Sequence, residues 1–179
     1  MAGQRLFETD NGATFNVSLD AGLCFAMSLD VAKVQLTHNA QGKPGKAPRE
    51  NELTPGKWAI VQSAYEINAS MDRIDIIEAQ GLDGVSTIDT TDFDGDFEVV
   101  ADAITALDGA NVFRISGDGG SHALLWIRDD DNDVYLFLDP NDGLWSFDDA
   151  DEAAEFMEDA LSDYDDLDEQ YGAFTVTLS

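Results

Sequence analysis

The sequence predicts an α+β domain: helices first, then a mostly antiparallel sheet with one late helix. Three observations predict it. A central apolar segment opens at Leu23, candidate strands crowd the chain beyond residue 110, and an acidic helix separates the last two of them. In the apolar segment Leu23, Met27, Val31 and Val34 recur at helical spacing, while Phe25, Leu29 and Leu36 occupy another face. A helix that is apolar on several faces belongs in the interior of a domain.

The remaining elements follow in chain order. Residues 1–20 read as short and polar, with a strand candidate at Thr14-Phe15-Asn16-Val17. Residues 39–57 hold three of the four prolines, read as the only basic part of the chain, and are expected to form an exposed loop. Helices are expected near 57–68 and 70–80, a loop rich in Asp, Gly and Thr over 82–96, and a helix from Phe97 to Leu107 that stops at Asp108-Gly109. Strands are expected at Asn111–Ser116, His122–Ile127, Val134–Asp139, Leu144–Phe147 and Ala173–Leu178. The late helix spans about Asp149 to Leu161, with carboxylates in its first turn where the helix dipole favours them. No internal repeat is visible, and 179 residues with a 44% apolar fraction suit one domain over 1–179 with a packed core.

Charge excludes several functions. Nine Lys and Arg oppose 37 Asp and Glu, for a net charge of −28, and no basic residue follows Arg128. A phosphate backbone and an anionic membrane surface would both be repelled, so neither nucleic acid nor membrane insertion is expected. No run of apolar residues is long enough to span a bilayer, and no Sec-type signal follows Met1. A cytoplasmic site is expected, or delivery into a target cell by a specialised secretion system. The acidity fits solubility in salt, attraction to a basic partner or substrate, or a solvated surface with no specific role.

Cys24 is the sole cysteine, so an intramolecular disulfide and four-cysteine metal sites are impossible. The choice is between a packed core thiol and a reactive one. Its place in the first turn of the central helix favours a thiolate, because unpaired N–H groups and the positive dipole end attract an anion. The hairpin after residue 120 adds two partners. If Ile127 lies opposite Val134, then Trp126 faces Tyr135, Leu124 faces Phe137 and His122 faces Asp139. Directly opposed side chains have Cβ atoms about 4.5–5.5 Å apart, close enough for Asp139 to accept the imidazole N–H and leave the other ring nitrogen for a thiol. Taken singly, Cys24 reads as a core thiol, His122 as a loop-edge histidine, and Asp139 as the first residue of an Asp-Pro-Asn-Asp-Gly turn.

Gly22-Leu23-Cys24-Phe25-Ala26-Met27-Ser28-Leu29 resembles the nucleophile helix of the YopT/AvrPphB-type effector peptidases, a branch of the papain-like clan. Ser121-His122-Ala123 resembles their histidine motif, and Tyr135 to Gly143 their aromatic-rich Asp-Pro-Asn-x-Gly segment. The resemblance covers about Gly22–Leu36 and Asn111–Leu178. It implies a papain-like fold, Cys24 as nucleophile, His122 as general base, Asp139 as orienting group, and an acyl-enzyme mechanism without metal or cofactor. It further implies a virulence protease with a narrow protein substrate. The stretch before the cysteine departs from the family, since Asn16, Ser18 and Asp20 offer no nearby amide for an oxyanion hole. Asp20 reads as a helix cap, the Cys24 N–H as one oxyanion donor, and the second donor has no assignment.

The same triad could serve a deamidase, an acyltransferase or a peptidoglycan amidase. A non-catalytic alternative is an acidic binding or inhibitor module. Asp92–Asp96 and Asp129–Asp133 lack the Gly and Glu spacing of calcium loops and read as solvated loops. His38 is expected beside the carbonyls that end the first helix, and Trp126 and Trp145 read as core residues.

Overall fold

The structure, a computed structural model, describes residues 3–9, 23–67 and 73–179. Its strands are β1 (Gln4–Glu8), β2 (Leu82–Asp92), β3 (Gly109–Gly117), β4 (Gly120–Asp129), β5 (Val134–Asp139), β6 (Gly143–Ser146) and β7 (Gln170–Leu178). Its helices are α1 (Cys24–Ala40), α2 (Pro55–Ile67), α3 (Arg73–Ala79), α4 (Phe97–Thr105) and α5 (Ala150–Ser162). The described strands form one sheet in the order β1-β6-β5-β4-β3-β7-β2, and every pairing is antiparallel.

Alternation along the strands divides the core between the two faces of this sheet. Ala123, Leu125 and Ile127 of β4 pack with Val112, Leu136 and Leu138 beneath α1, α2 and α3. The intervening Leu124 and Trp126 pack with Phe113, Phe137 and Ala173 against α4 and α5. Trp126 is wholly buried, and its indole N–H donates to the Leu107 carbonyl. Helix α1 buries Phe25, Met27, Leu29, Val31 and Ala32, residues spread around its circumference, as its unbroken apolar character requires. Carboxylates start the helices on the opposite face: Asp96 accepts from the Val99 N–H, and Asp149 from the Glu152 N–H.

Two expectations need correction, and a third falls outside the described residues. Residues 82–92 form a strand, not a loop. β2 is an edge strand exposed along most of its length, so it lacks the apolar alternation that marks a half-buried strand, and its Asp and Thr side chains suit a solvated edge. The first strand is Gln4–Glu8, while the candidate at Thr14–Val17 lies outside the described residues. The prolyl stretch is only partly exposed: Pro48 and Leu53 are buried, and Glu50–Glu52 forms a short 3₁₀ turn.

The hairpin register also differs. Ile127 faces Leu136, and Asp129 faces Val134. The connector is shorter than expected, because Asp130–Asn132 forms a 3₁₀ turn and Asp133 takes a left-handed conformation (φ 51°). This two-residue shift leaves every side chain on its predicted face, since the strand period is two. It turns the His122–Asp139 relation from directly opposed to diagonal. Pairing of β5 with β4 ends at Leu125–Leu138, so the start of β4 is bonded to β3 alone and stands open on its other side.

At the far end of β5, Gly143 has φ 153° and pairs with Glu8 of β1. A Cβ there would collide with the Phe7 carbonyl oxygen. The glycine thus lets β1 close on the turn that carries Asp139.

Candidate active site

Cys24 is the first residue of α1, on the sheet face covered by α1, α2 and α3. By strand alternation His122 and Asp139 belong to the other face. They meet the thiol at the open side of β4, where β5 has turned away. Ser28, one turn along from Cys24 and fully buried, reaches the Ala123 carbonyl at 3.5 Å and holds α1 against β4 beside His122. On α2 the buried Gln62 accepts from the Ala26 N–H at 3.4 Å, answering one of the donors that a helix start leaves unpaired.

The His122 Nε2–H donates to Asp139 Oδ1 at 2.9 Å, and the ring is hydrogen-bonded to the Cys24 side chain. Nδ1 is the ring nitrogen that Asp139 leaves for the thiol. Cys24, His122 and Asp139 are each 5% exposed. Burial by itself opposes charge on His122. The bonds to Asp139 and Cys24, with the attraction of both, outweigh it and raise the imidazole to about 9. Burial likewise disfavours the Asp139 carboxylate, yet its partners hold it below the usual carboxylate range.

Both carboxylate oxygens of Asp139 accept hydrogen bonds beyond the one from His122. Oδ1 also accepts from the Asn141 N–H at 2.9 Å, and Oδ2 accepts from the Tyr164 hydroxyl at 2.8 Å. The Asp-Pro-Asn-Asp-Gly turn therefore does two things with one residue: the Asp139 carbonyl accepts from the Asp142 N–H, and its carboxylate aims at His122.

Tyr164 escapes sequence reasoning. It follows α5 in an acidic run, and its ring stacks on His122 with centroids 4.8 Å apart at 28°. Its hydroxyl accepts from Asn141 Nδ2 at 2.9 Å and lies 3.3 Å from His122 Nε2. Burial, together with the neighbouring Asp139 charge, pushes the phenol well above its ordinary range, which keeps it a donor. The only signal in the sequence is an aromatic residue isolated among aspartates. Gln62 has no signal there either, since its role depends on how α2 crosses the start of α1.

Other candidates fall elsewhere. His38 does not bond the carbonyls that end α1. Its Nδ1 donates to the Lys46 carbonyl at 2.8 Å, and its Nε2 lies 3.0 Å from Lys46 Nζ and 3.3 Å from Glu52. The Trp145 indole N–H donates to Asp142, and the ring packs on Phe156 at 4.7 Å, with the Arg5 guanidinium on it at 5.6 Å. Asp96 is spent on capping α4, and Asp130 on pairing with Arg128. Among the described residues no group of three or more His, Cys, Asp or Glu side chains could hold a metal ion. Asn16, Ser18 and Asp20, weighed above for the oxyanion hole and the helix cap, lie outside the described residues.

This is a papain-like α+β fold. The Pseudomonas avirulence protein AvrPphB shares it with a TM-score of 0.63 at 12% identity, over 99% of this chain and 97% of that one. PatoxP, a cysteine protease-like domain of the Photorhabdus asymbiotica toxin PaTox, is similar with a TM-score of 0.52 at 11% identity. That match covers 97% of this chain, which spans about half (54%) of the PatoxP chain. No family model matches the sequence, and no curated protein matches it. No helix among the described residues is long and apolar enough to cross a membrane.

Proposed function

We propose that the chain is a thiol protease of effector type, with Cys24 as nucleophile, His122 as general acid and base, and Asp139 as the group that orients His122. The observation that carries this reading is the continuous hydrogen-bonded path from the Cys24 side chain through His122 to Asp139, buried at the tip of α1. The fold shared with a cysteine protease-like toxin domain supports it.

The attacking species is the Cys24 thiolate, held beside the His122 imidazolium. Sulfur adds to the peptide carbonyl carbon, and the Cys24 N–H supplies one donor to the resulting oxyanion. Collapse of this intermediate breaks the C–N bond, and the leaving amine takes the proton from His122 Nδ1. Water then attacks the thioester while the imidazole accepts its proton, releasing a carboxylic acid and restoring the thiol. Proton transfer of this kind is worth roughly 10²–10⁴ in rate. Tyr164 acts through the others as a positioning residue, fixing the Asp139 carboxylate from one oxygen and the imidazole plane from above. The acidic surface favours a protein substrate with a basic segment near the scissile bond, and a secreted route into a target cell fits such a substrate.

The test incubates the protein and its Cys24→Ala variant separately with a proteome-derived peptide library, followed by mass spectrometry. Cleaved peptides from the wild type alone are expected. Intact peptides carrying glutamine-to-glutamate conversions would replace the protease by a deamidase. A library unchanged by both proteins would favour the non-catalytic acidic module.

A further inference from the structure

The basic residues of this acidic chain are not spread evenly. Four of its nine lysines and arginines, Lys33, Lys43, Lys46 and Lys57, line one cavity of about 500 Å³ on the outer side of α1. Its floor is the α1 face carrying Ala26, Leu29 and Lys33, and one wall is apolar, formed by Trp58 and Val61 of α2. Its size is that of a small-molecule site, which typically measures about 300–1,000 Å³.

The two carboxylates in the lining are already engaged. Asp30 accepts from the Thr54 N–H at 2.6 Å, the Thr54 hydroxyl at 2.9 Å and the Trp58 indole N–H at 2.8 Å. Glu52 pairs with Lys46 and accepts from the Arg49 N–H at 3.0 Å. The buried His38 fixes Lys46 from below through its carbonyl and its ammonium. Lys33 donates to the Gln80 carbonyl, which leaves two of its three N–H donors over. Lys43 and Lys57 make no side-chain bond among the described residues. The cavity therefore offers unspent N–H donors at its rim, an ordered ammonium at its base and an indole along its side. Within the lining four ammonium groups outnumber the two carboxylates, so the cavity is locally cationic on a chain that is otherwise strongly acidic.

We infer that this cavity binds a small organic anion, with a phosphate or carboxylate head held by Lys43, Lys46 and Lys57 and an apolar body against Trp58. The site is separate from the Cys24–His122 pair and does not depend on the protease reading. Such a ligand would tie the 43–57 segment and α2 to the helix that begins with Cys24, and would stabilise the folded chain by mass action.

The three indole N–H signals of the ¹⁵N-labelled full-length protein give the test, because Trp58 lines the cavity while Trp126 and Trp145 do not. The protein is titrated to millimolar levels with phenyl phosphate, phenylacetate and uncharged phenol. A saturable shift of the Trp58 signal by at least one of the two anions is expected, with Trp126 and Trp145 unmoved and phenol without effect. The stronger of the two anions identifies the head group. The shift should vanish in Lys43→Glu/Lys57→Glu, whose altered side chains are exposed, and also in the milder Lys43→Ala/Lys57→Ala. The inference is overturned if neither anion gives a saturable shift, if phenol acts equally, or if the shift survives in the charge-altered variants.

Discussion

The chain has two histidines, and both are buried beside a carboxylate: His38 is 6% exposed and 3.3 Å from Glu52, His122 is 5% exposed and 2.9 Å from Asp139. A histidine–carboxylate contact in the interior is common to both regions and so cannot be what makes a site. The difference lies at the second ring nitrogen and around the carboxylate. His38 spends one nitrogen on the Lys46 carbonyl and sets the other against the Lys46 ammonium, a group that can only donate. That arrangement braces a loop. His122 spends one nitrogen on Asp139 and turns the other to the thiol of Cys24, a group that can give up its proton and then attack.

The largest effect expected separates the two histidines directly. His122→Ala should lower the peptidase rate on the order of 10⁴-fold or more, as loss of a triad base does. His38→Ala should leave the rate within about twofold while costing about 1–3 kcal/mol of stability, because the Lys46 groups lose buried partners. Initial rates and denaturant midpoints of the two variants measure both. If His38→Ala were the inactive one, the contrast would invert.

The carboxylates should differ in the same sense. Asp139→Asn is expected to cost about 10- to 100-fold in rate, at or below the lower end of the roughly 10²–10⁴ that acid–base assistance supplies, because Asp139 acts through His122. It should also displace the alkaline limb of the pH profile. His122 stays protonated up to about 9 partly through its bond to Asp139, so wild-type activity should decline as pH rises through about 9, and the variant's decline should move down toward the ordinary 6.5. Glu52→Gln should leave that limb in place.

Stability should carry the same signature. The folded-state value for His122 is raised, so its contribution is fully present below 6.5 and is lost as pH rises through about 9. Denaturant unfolding across that interval should show the wild-type advantage over His122→Gln shrinking with rising pH. A constant gap would mean that the charge on His122 has no part in it.

The smallest effect belongs to Tyr164→Phe, which keeps the stacked ring and removes one hydroxyl bond to Asp139. A hydrogen bond to a charged group is worth roughly 1.5–3 kcal/mol, of which a positioning role passes on only a part, so a fall in kcat of about tenfold or less is expected with KM unchanged. Steady-state kinetics on a cleaved library peptide reads this split.

These residues were unequally legible in the sequence. Cys24, His122 and Asp139 stand out because each is a rare or chemically specific type at the end of an element, and the strand period carried His122 and Asp139 to one face even with the register two residues off. Tyr164 and Gln62 did not, because their roles arise where α5 ends over β4 and where α2 crosses α1, contacts that no local pattern encodes. β2 was missed for a different reason. An edge strand exposed on most of its length has no apolar period to read, and only its partner β7 identifies it. His38 was placed correctly on α1 but assigned the wrong partners, since the returning loop that brings Lys46 and Glu52 was read as exposed.

The central claim is that His122 makes Cys24 a reactive thiol rather than a packed one. Because Cys24 is the sole cysteine, the rate at which iodoacetamide modifies the intact protein at mildly acidic pH, followed by mass, reports on that thiol alone. Rapid modification of the wild type and slow modification of His122→Ala are predicted. Equal and slow rates in the two proteins would contradict the account.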